Sequence, residues 1–167
     1  MAEKSAPTFD ELVERMAAIH AKLRRRRLTV AAAESCTGGL LATILTAHGG
    51  ASDYFRGGAV VYSDDAKEIL ADVAPQLIHS HGAVSSVVAG ALARGARSRL
   101  GAKIGLGITG IAGPGGATPG KSVGLTYVAV DSDKHSAVKK HVWTFDRAGN
   151  RLASVGAALD LLADAIE

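Results

Sequence analysis

Leu28-Thr29-Val30-Ala31-Ala32-Ala33-Glu34-Ser35-Cys36-Thr37-Gly38-Gly39 is the stretch on which the reading of the fold turns. Leu28–Ala33 is a short apolar run suited to a buried strand, and the residues from Thr37 to His48 read as a helix. A buried strand passing directly into a helix is the opening of an α/β unit. Upstream, Phe9, Leu12, Val13, Met16, Ile19 and Leu23 recur at helical spacing, with acidic residues early and basic ones late. Downstream, Ala59–Tyr62 reads as a second strand, and Ser63 as the N-cap of a helix that contains Lys67. Ser85 or Ser86 caps a further helix with Val88, Ala91, Leu92, Ala96 and Leu100 facing inward, and Ile104–Thr109 reads as a third strand. After the loop Gly110–Gly120, Val123–Val130 and Lys140–Phe145 form a pair of strands joined at Asp131-Ser132-Asp133. Asp146 caps a last helix with Leu152, Val155, Leu159, Leu162 and Ile166 on its apolar stripe. Helices interleaved with strands early and a hairpin late predict one α/β domain over 1–167, a three-layer α/β/α sandwich around a mixed sheet with a late antiparallel hairpin.

Composition narrows the function classes. Of the 167 residues 47% are hydrophobic but only 4% aromatic, so the core must be built from Ala, Val, Leu and Ile. The formal charge of +3 owes much to Arg24-Arg25-Arg26-Arg27 at the end of the first helix, where cations complement the macrodipole. No aromatics interleave with that run, which argues against a nucleic-acid surface. Cys36 is the only cysteine, so no disulfide closes within the chain. No apolar stretch is long enough to span a bilayer and no signal core is visible, so a cytoplasmic protein without membrane partners is expected.

Three segments carry chemistry. Glu34-Ser35-Cys36-Thr37-Gly38-Gly39 lies where a strand turns into a helix, and ligands of α/β sheets bind beyond the carboxyl ends of strands. N–H groups at Thr37, Gly38 and Gly39 are placed to receive an oxyanion or a phosphate; the competing reading makes Ser35 or Thr37 a helix cap. In Tyr62-Ser63-Asp64-Asp65-Ala66-Lys67, the lysine lies one turn into its helix, where the positive dipole end and burial lower its pKa toward that of a general base. The alternative is a solvated lysine paired with Asp64 or Asp65. Thr109-Gly110-Ile111-Ala112-Gly113-Pro114 can form an anion-binding nest or a plain connection. Gly105, Gly107 and Gly110 spell a dinucleotide fingerprint, but two of them lie inside a strand and no helix follows the third. Arg147 and Arg151 reach either a phosphate or solvent. The histidines show no metal spacing beyond His79-Ser80-His81, so neither metal nor cofactor is expected.

Taken together, Glu34–Gly39, Tyr62-Ser63 with Ala66-Lys67, Gly82-Ala83-Val84-Ser85 and Thr109–Pro114 resemble the CinA C-terminal domain family, whose members are nicotinamide-nucleotide amidases. The resemblance runs from about the first helix to the last. It implies conversion of nicotinamide mononucleotide and water to nicotinate mononucleotide and ammonia, with Ser35 as nucleophile, Lys67 as base and Tyr62 assisting. On this reading Thr37, Gly38 and Gly39 serve the oxyanion, while Thr109, Gly110, Ile111, Ala112 and Gly113, with Arg147, hold the nucleotide. The chain departs from the family pattern at Asp64-Asp65, at Lys121-Ser122-Val123-Gly124 and through Ala117–Gly120. Two alternatives stay open: Cys36 as the nucleophile with Ser35 as a cap, and a non-catalytic nucleotide-binding or competence-related interaction module. A small nucleotide substrate and a homo-oligomer are the expected partners.

Overall fold

The computed structural model describes residues 5–167. Five strands form one sheet in the order β2-β1-β3-β4-β5, where β1 is Val30–Glu34, β2 Phe55–Val60, β3 Ile104–Gly110, β4 Leu125–Ser132 and β5 Ser136–Val142. β1 runs parallel to both β2 and β3, and β3, β4 and β5 are antiparallel in turn. Among the described residues six α-helices pack on it: α1 Phe9–Arg26, α2 Leu40–Leu45, α3 Asp64–Ala71, α4 Pro75–His81, α5 Ser86–Arg99 and α6 Arg147–Ala165. The sheet is mixed and open, and the late pair is an antiparallel hairpin.

Alternation along β1 makes the layers. Val30 and Ala32 pack with α1, α2 and α6, while Ala31 and Ala33 face α3 and α5 on the other side. β3 does the same with different residues: Ile104, Leu106 and Ile108 enter the first core. Gly105 and Gly107 present bare backbone to α5, where an added Cβ would lie 1.9 Å from Ala93 O and 2.4 Å from Ala89 O respectively. The fingerprint-like glycines are therefore seats for α5 rather than for a dinucleotide. The basic run at the end of α1 is also used structurally, with Arg24 Nε 2.7 Å from Asp53 and Arg26 donating to Ile166 O.

Several expected boundaries move. β2 begins at Phe55 and ends at Val60, so Tyr62 lies beyond the strand and not at its end. The reason is that β2 is an edge strand, whose exposed alternation and Gly57-Gly58 pair hide it from a search for apolar runs. α2 starts only at Leu40, because Gly38 and Gly39 adopt φ of 58° and 98° and form a separate turn. β5 runs over 136–142, earlier than the expected 140–145, and the turn falls at 133–135, closed by Ser132 Oγ and His135. α4, opened by Pro75, has no counterpart in the sequence reading. The caps at Ser63, Ser85 and Asp146 form as expected, each side chain accepting an N–H three residues on. Among the described residues, no helix is long and apolar enough to cross a membrane.

Candidate active site

Register brings the site together. Glu34 lies beside Val60 on one side and Ile108 on the other, so the carboxyl ends of three parallel strands share one edge. The chain leaves β1 toward β2 and leaves β3 toward β4, and this divergence opens a crevice between them. A cleft of about 310 Å³ occupies it, with Ser35, Cys36, Tyr62, Asp64, Lys67, Thr109–Gly113 and Arg147 among its lining residues.

Ser35 follows β1 directly and its N–H donates to Ile108 O at 3.0 Å, which fixes the first residue of the turn to β3. Glu34 organises the rest. Its carboxylate, 2% exposed, accepts from Thr37 Oγ1 at 2.6 Å, Gly39 N at 3.1 Å, Leu41 N at 2.9 Å and Ala42 N at 2.8 Å. An anion thus already occupies the amino end of α2. The donors expected at Gly38 and Gly39 are committed, Gly38 N to Ser35 O and Gly39 N to Glu34. Thr37 is fully buried, with its hydroxyl on Glu34 and its carbonyl held by Arg151 Nη2 at 2.8 Å. None of Thr37, Gly38 and Gly39 lines the cleft. Among the described residues the N–H groups of Cys36 and Thr37 donate to no oxygen, and of these two residues Cys36 faces the cleft. Glu34 was missed as a functional residue; the signal available was a carboxylate just before a helix start rich in unpaired N–H groups.

Lys67 sits in the first turn of α3 and is 2% exposed, so it is not the solvated lysine of the alternative reading. Burial pushes its pKa below the ordinary ammonium range, with the Asp64 carboxylate pulling the other way. Its Nζ donates to Ser63 O at 3.4 Å and lies 3.9 Å from Asp64 Oδ1. Ser35 and Lys67 share the cleft without a direct hydrogen bond, a looseness usual in unliganded sites. Tyr62 is 58% exposed at the rim, and its hydroxyl accepts from Arg147 Nη2 at 2.9 Å. Arg147 Nη1 donates to Gly113 O at 2.6 Å, so one guanidinium ties the tyrosine to the third loop.

That loop is held from beneath. Asn150, buried on α6, donates to Ala112 O at 3.0 Å and accepts from Phe145 N at 3.1 Å. Thr109 donates to Ala83 O at 2.8 Å, a structural contact that joins β3 to the segment before α5. Gly110 admits no side chain, since a Cβ there would lie 2.7 Å from Thr126 Oγ1. Cys36 is buried, and that burial pushes its thiol up to about 12, which removes the thiolate a cysteine nucleophile needs. Arg151, whose contact with Thr37 O steadies the turn after β1, was not separated from surface charge by sequence.

A mixed α/β sheet with a serine, a buried lysine and a tyrosine at the carboxyl ends of its parallel strands defines a class of cleft suited to acyl chemistry. The CinA C-terminal domain model matches residues 13–166, and the chain belongs to that family. It is 51% identical over 140 residues to a CinA-like protein of Acidobacterium capsulatum, covering 84% of this chain and 34% of that protein. A CinA-like protein of Koribacter versatilis is 50% identical, with the same coverage. The chain thus spans about a third of the length of these curated relatives. Among solved structures, the competence/damage-inducible protein CihA of Agrobacterium tumefaciens superposes with a TM-score of 0.87 at 35% identity, covering 97% of this chain and 98% of that one. A CinA-superfamily protein of Escherichia coli gives 0.87 at 30% identity, covering 95% and 90%.

Proposed function

We propose that this chain is a nicotinamide-nucleotide amidase that hydrolyses nicotinamide mononucleotide to nicotinate mononucleotide and ammonia through a seryl ester. The observation that carries this reading is the burial of Lys67 in the same cleft as Ser35, with its proton affinity lowered by that burial. An amide is a poor electrophile with a poor leaving group, so its hydrolysis needs an activated nucleophile and an acid for the departing nitrogen. Neutral Lys67 takes the proton of Ser35 Oγ as the Oγ–C bond forms, and returns it to the nitrogen as the C–N bond breaks. The N–H of Cys36, a lining residue whose N–H donates to no oxygen among the described residues, supports the oxyanion in place of Gly38 and Gly39. Tyr62, held by Arg147, relays or supplies a proton at the rim. Water then repeats the cycle on the ester and releases the acid. The 110–113 loop and Arg147 receive the nucleotide. A coupled assay of ammonia from nicotinamide mononucleotide tests the reading: turnover that disappears in Ser35→Ala supports it, and no release of ammonia by the wild-type protein overturns it.

A further inference from the structure

Asp64 has a place in the cleft that the amidase reading leaves unused. It lines the cleft beside Lys67, its side chain is 59% exposed, and its Oδ1 lies 3.9 Å from Lys67 Nζ. The other groups that face Lys67 offer no competing anion. Cys36, from the turn after β1, is held as a neutral thiol by its burial. Tyr62, from the link between β2 and α3, accepts from Arg147. Arg147, from α6, is committed to Tyr62 and Gly113 O. Ala83 and Val84, ahead of α5, bring no charge to the lining. Among the described residues Asp64 is the one carboxylate in ion-pair range of Lys67.

We propose that Asp64 is a positioning residue that sets the proton affinity of Lys67, favouring the ammonium that Lys67 becomes once it has accepted the Ser35 proton. The inference rests on the reading of Lys67 as base. Burial alone would leave Lys67 so reluctant to hold a proton that it would be a weak base for serine and a short-lived donor to the leaving nitrogen. A carboxylate at 3.9 Å, itself half in water, opposes that effect without cancelling it. No further reactant is involved: the proton passes from Oγ to Nζ and from Nζ to the nitrogen that leaves as ammonia.

The test is Asp64→Asn, which keeps size and removes charge at an exposed position. Two titrations are read on wild type and variant. One is the chemical shift of the Lys67 side chain in protein labelled with carbon-13 at lysine Cε, assigned by comparison with Lys67→Arg. The other is the acid limb of kcat/KM for ammonia release. The Lys67 midpoint is expected to fall by roughly half a unit, the size of an exposed ion pair. The acid limb should move with it, raising turnover below the limb by roughly threefold. An unmoved Lys67 midpoint overturns the inference whatever the turnover does. A shifted midpoint with an unmoved acid limb supports the Asp64–Lys67 coupling and refutes Lys67 as the base, so the two failures are distinct.

Discussion

Ser35 and Lys67 differ in what a substitution can reveal. Ser35→Ala removes the hydroxyl but keeps the backbone N–H and C=O that hold the turn to Ile108 and Gly38. Ammonia release should fall to background while the circular dichroism spectrum is unchanged. Lys67→Arg should be nearly as damaging as Lys67→Ala, since a guanidinium stays protonated and cannot accept the serine proton. Near-normal turnover in Lys67→Arg would leave the site needing only a positive charge there. Glu34→Gln addresses the turn itself. The amide offers one acceptor oxygen where the carboxylate serves four donors with two, so a buried or half-buried N–H at Gly39, Leu41 or Ala42 goes unpaired. Losing hydrogen bonds to a charged acceptor costs about 1.5–3 kcal/mol. The urea midpoint should drop by on the order of 1 M for a domain of this size. An unchanged midpoint would show that Glu34 is not what holds the turn.

Elements are placed here by what is missing as much as by what is present. α5 lies against β3 because Gly105 and Gly107 have no side chain, and against α3 because a Cβ on Gly95 would lie 1.7 Å from Ala71 O. These contacts are backbone to backbone, so no rotamer change relieves an added methyl. Gly105→Ala is therefore expected to destabilise by at least about 1–3 kcal/mol, the usual range for overpacking. Chemical denaturation measures it, and a loss below about 0.5 kcal/mol would show that α5 can shift away from the sheet. α6 has a different task. From successive turns it sends Arg147 to Gly113 O and Tyr62, Asn150 to Ala112 O, and Arg151 to Thr37 O. One helix thereby fixes two loops that lie far apart in the chain.

The whole molecule should lose stability on mild acidification, and the sign follows from two histidines. His20, against Tyr54 and His48, has its pKa lowered by burial first and then by Arg24 and His48. His141, stacked on Trp143 with its Nε2 buried and without a hydrogen-bond partner among the described residues, is lowered by burial and then by Lys139. Each binds its proton less readily folded than unfolded. Their contribution is complete above the unfolded value of about 6.5 and is lost as pH falls below it. Glu11 and Asp72, lowered by hydrogen bonds, add a further loss only as pH falls below about 4. Thermal midpoints should be level above about pH 7 and decline as pH falls below about 6.5. His141→Phe, which cannot take up a proton, should flatten part of that decline; an unchanged slope would remove His141 from the account.

Much of this was readable in the chain because it depends on local chemistry. The apolar run before Glu34, the caps at Ser63, Ser85 and Asp146, and the amphipathic stripes of α1 and α6 are properties of short segments. Together they decide an α/β domain with a mixed sheet. The candidates Ser35, Tyr62, Lys67 and the 109–113 loop were likewise named by type and position. β2 was misplaced because an edge strand with exposed alternation and two glycines carries little apolar signal. Only the tertiary structure decided the environments. It showed Lys67 buried, Cys36 sealed in as a thiol, the α2 amino end filled by Glu34, and Arg147 and Asn150 reaching from the last helix to loops some 35 residues earlier. Burial, charge pairing and hydrogen-bond commitment are set by neighbours distant in the chain, and no local pattern of residues contains them.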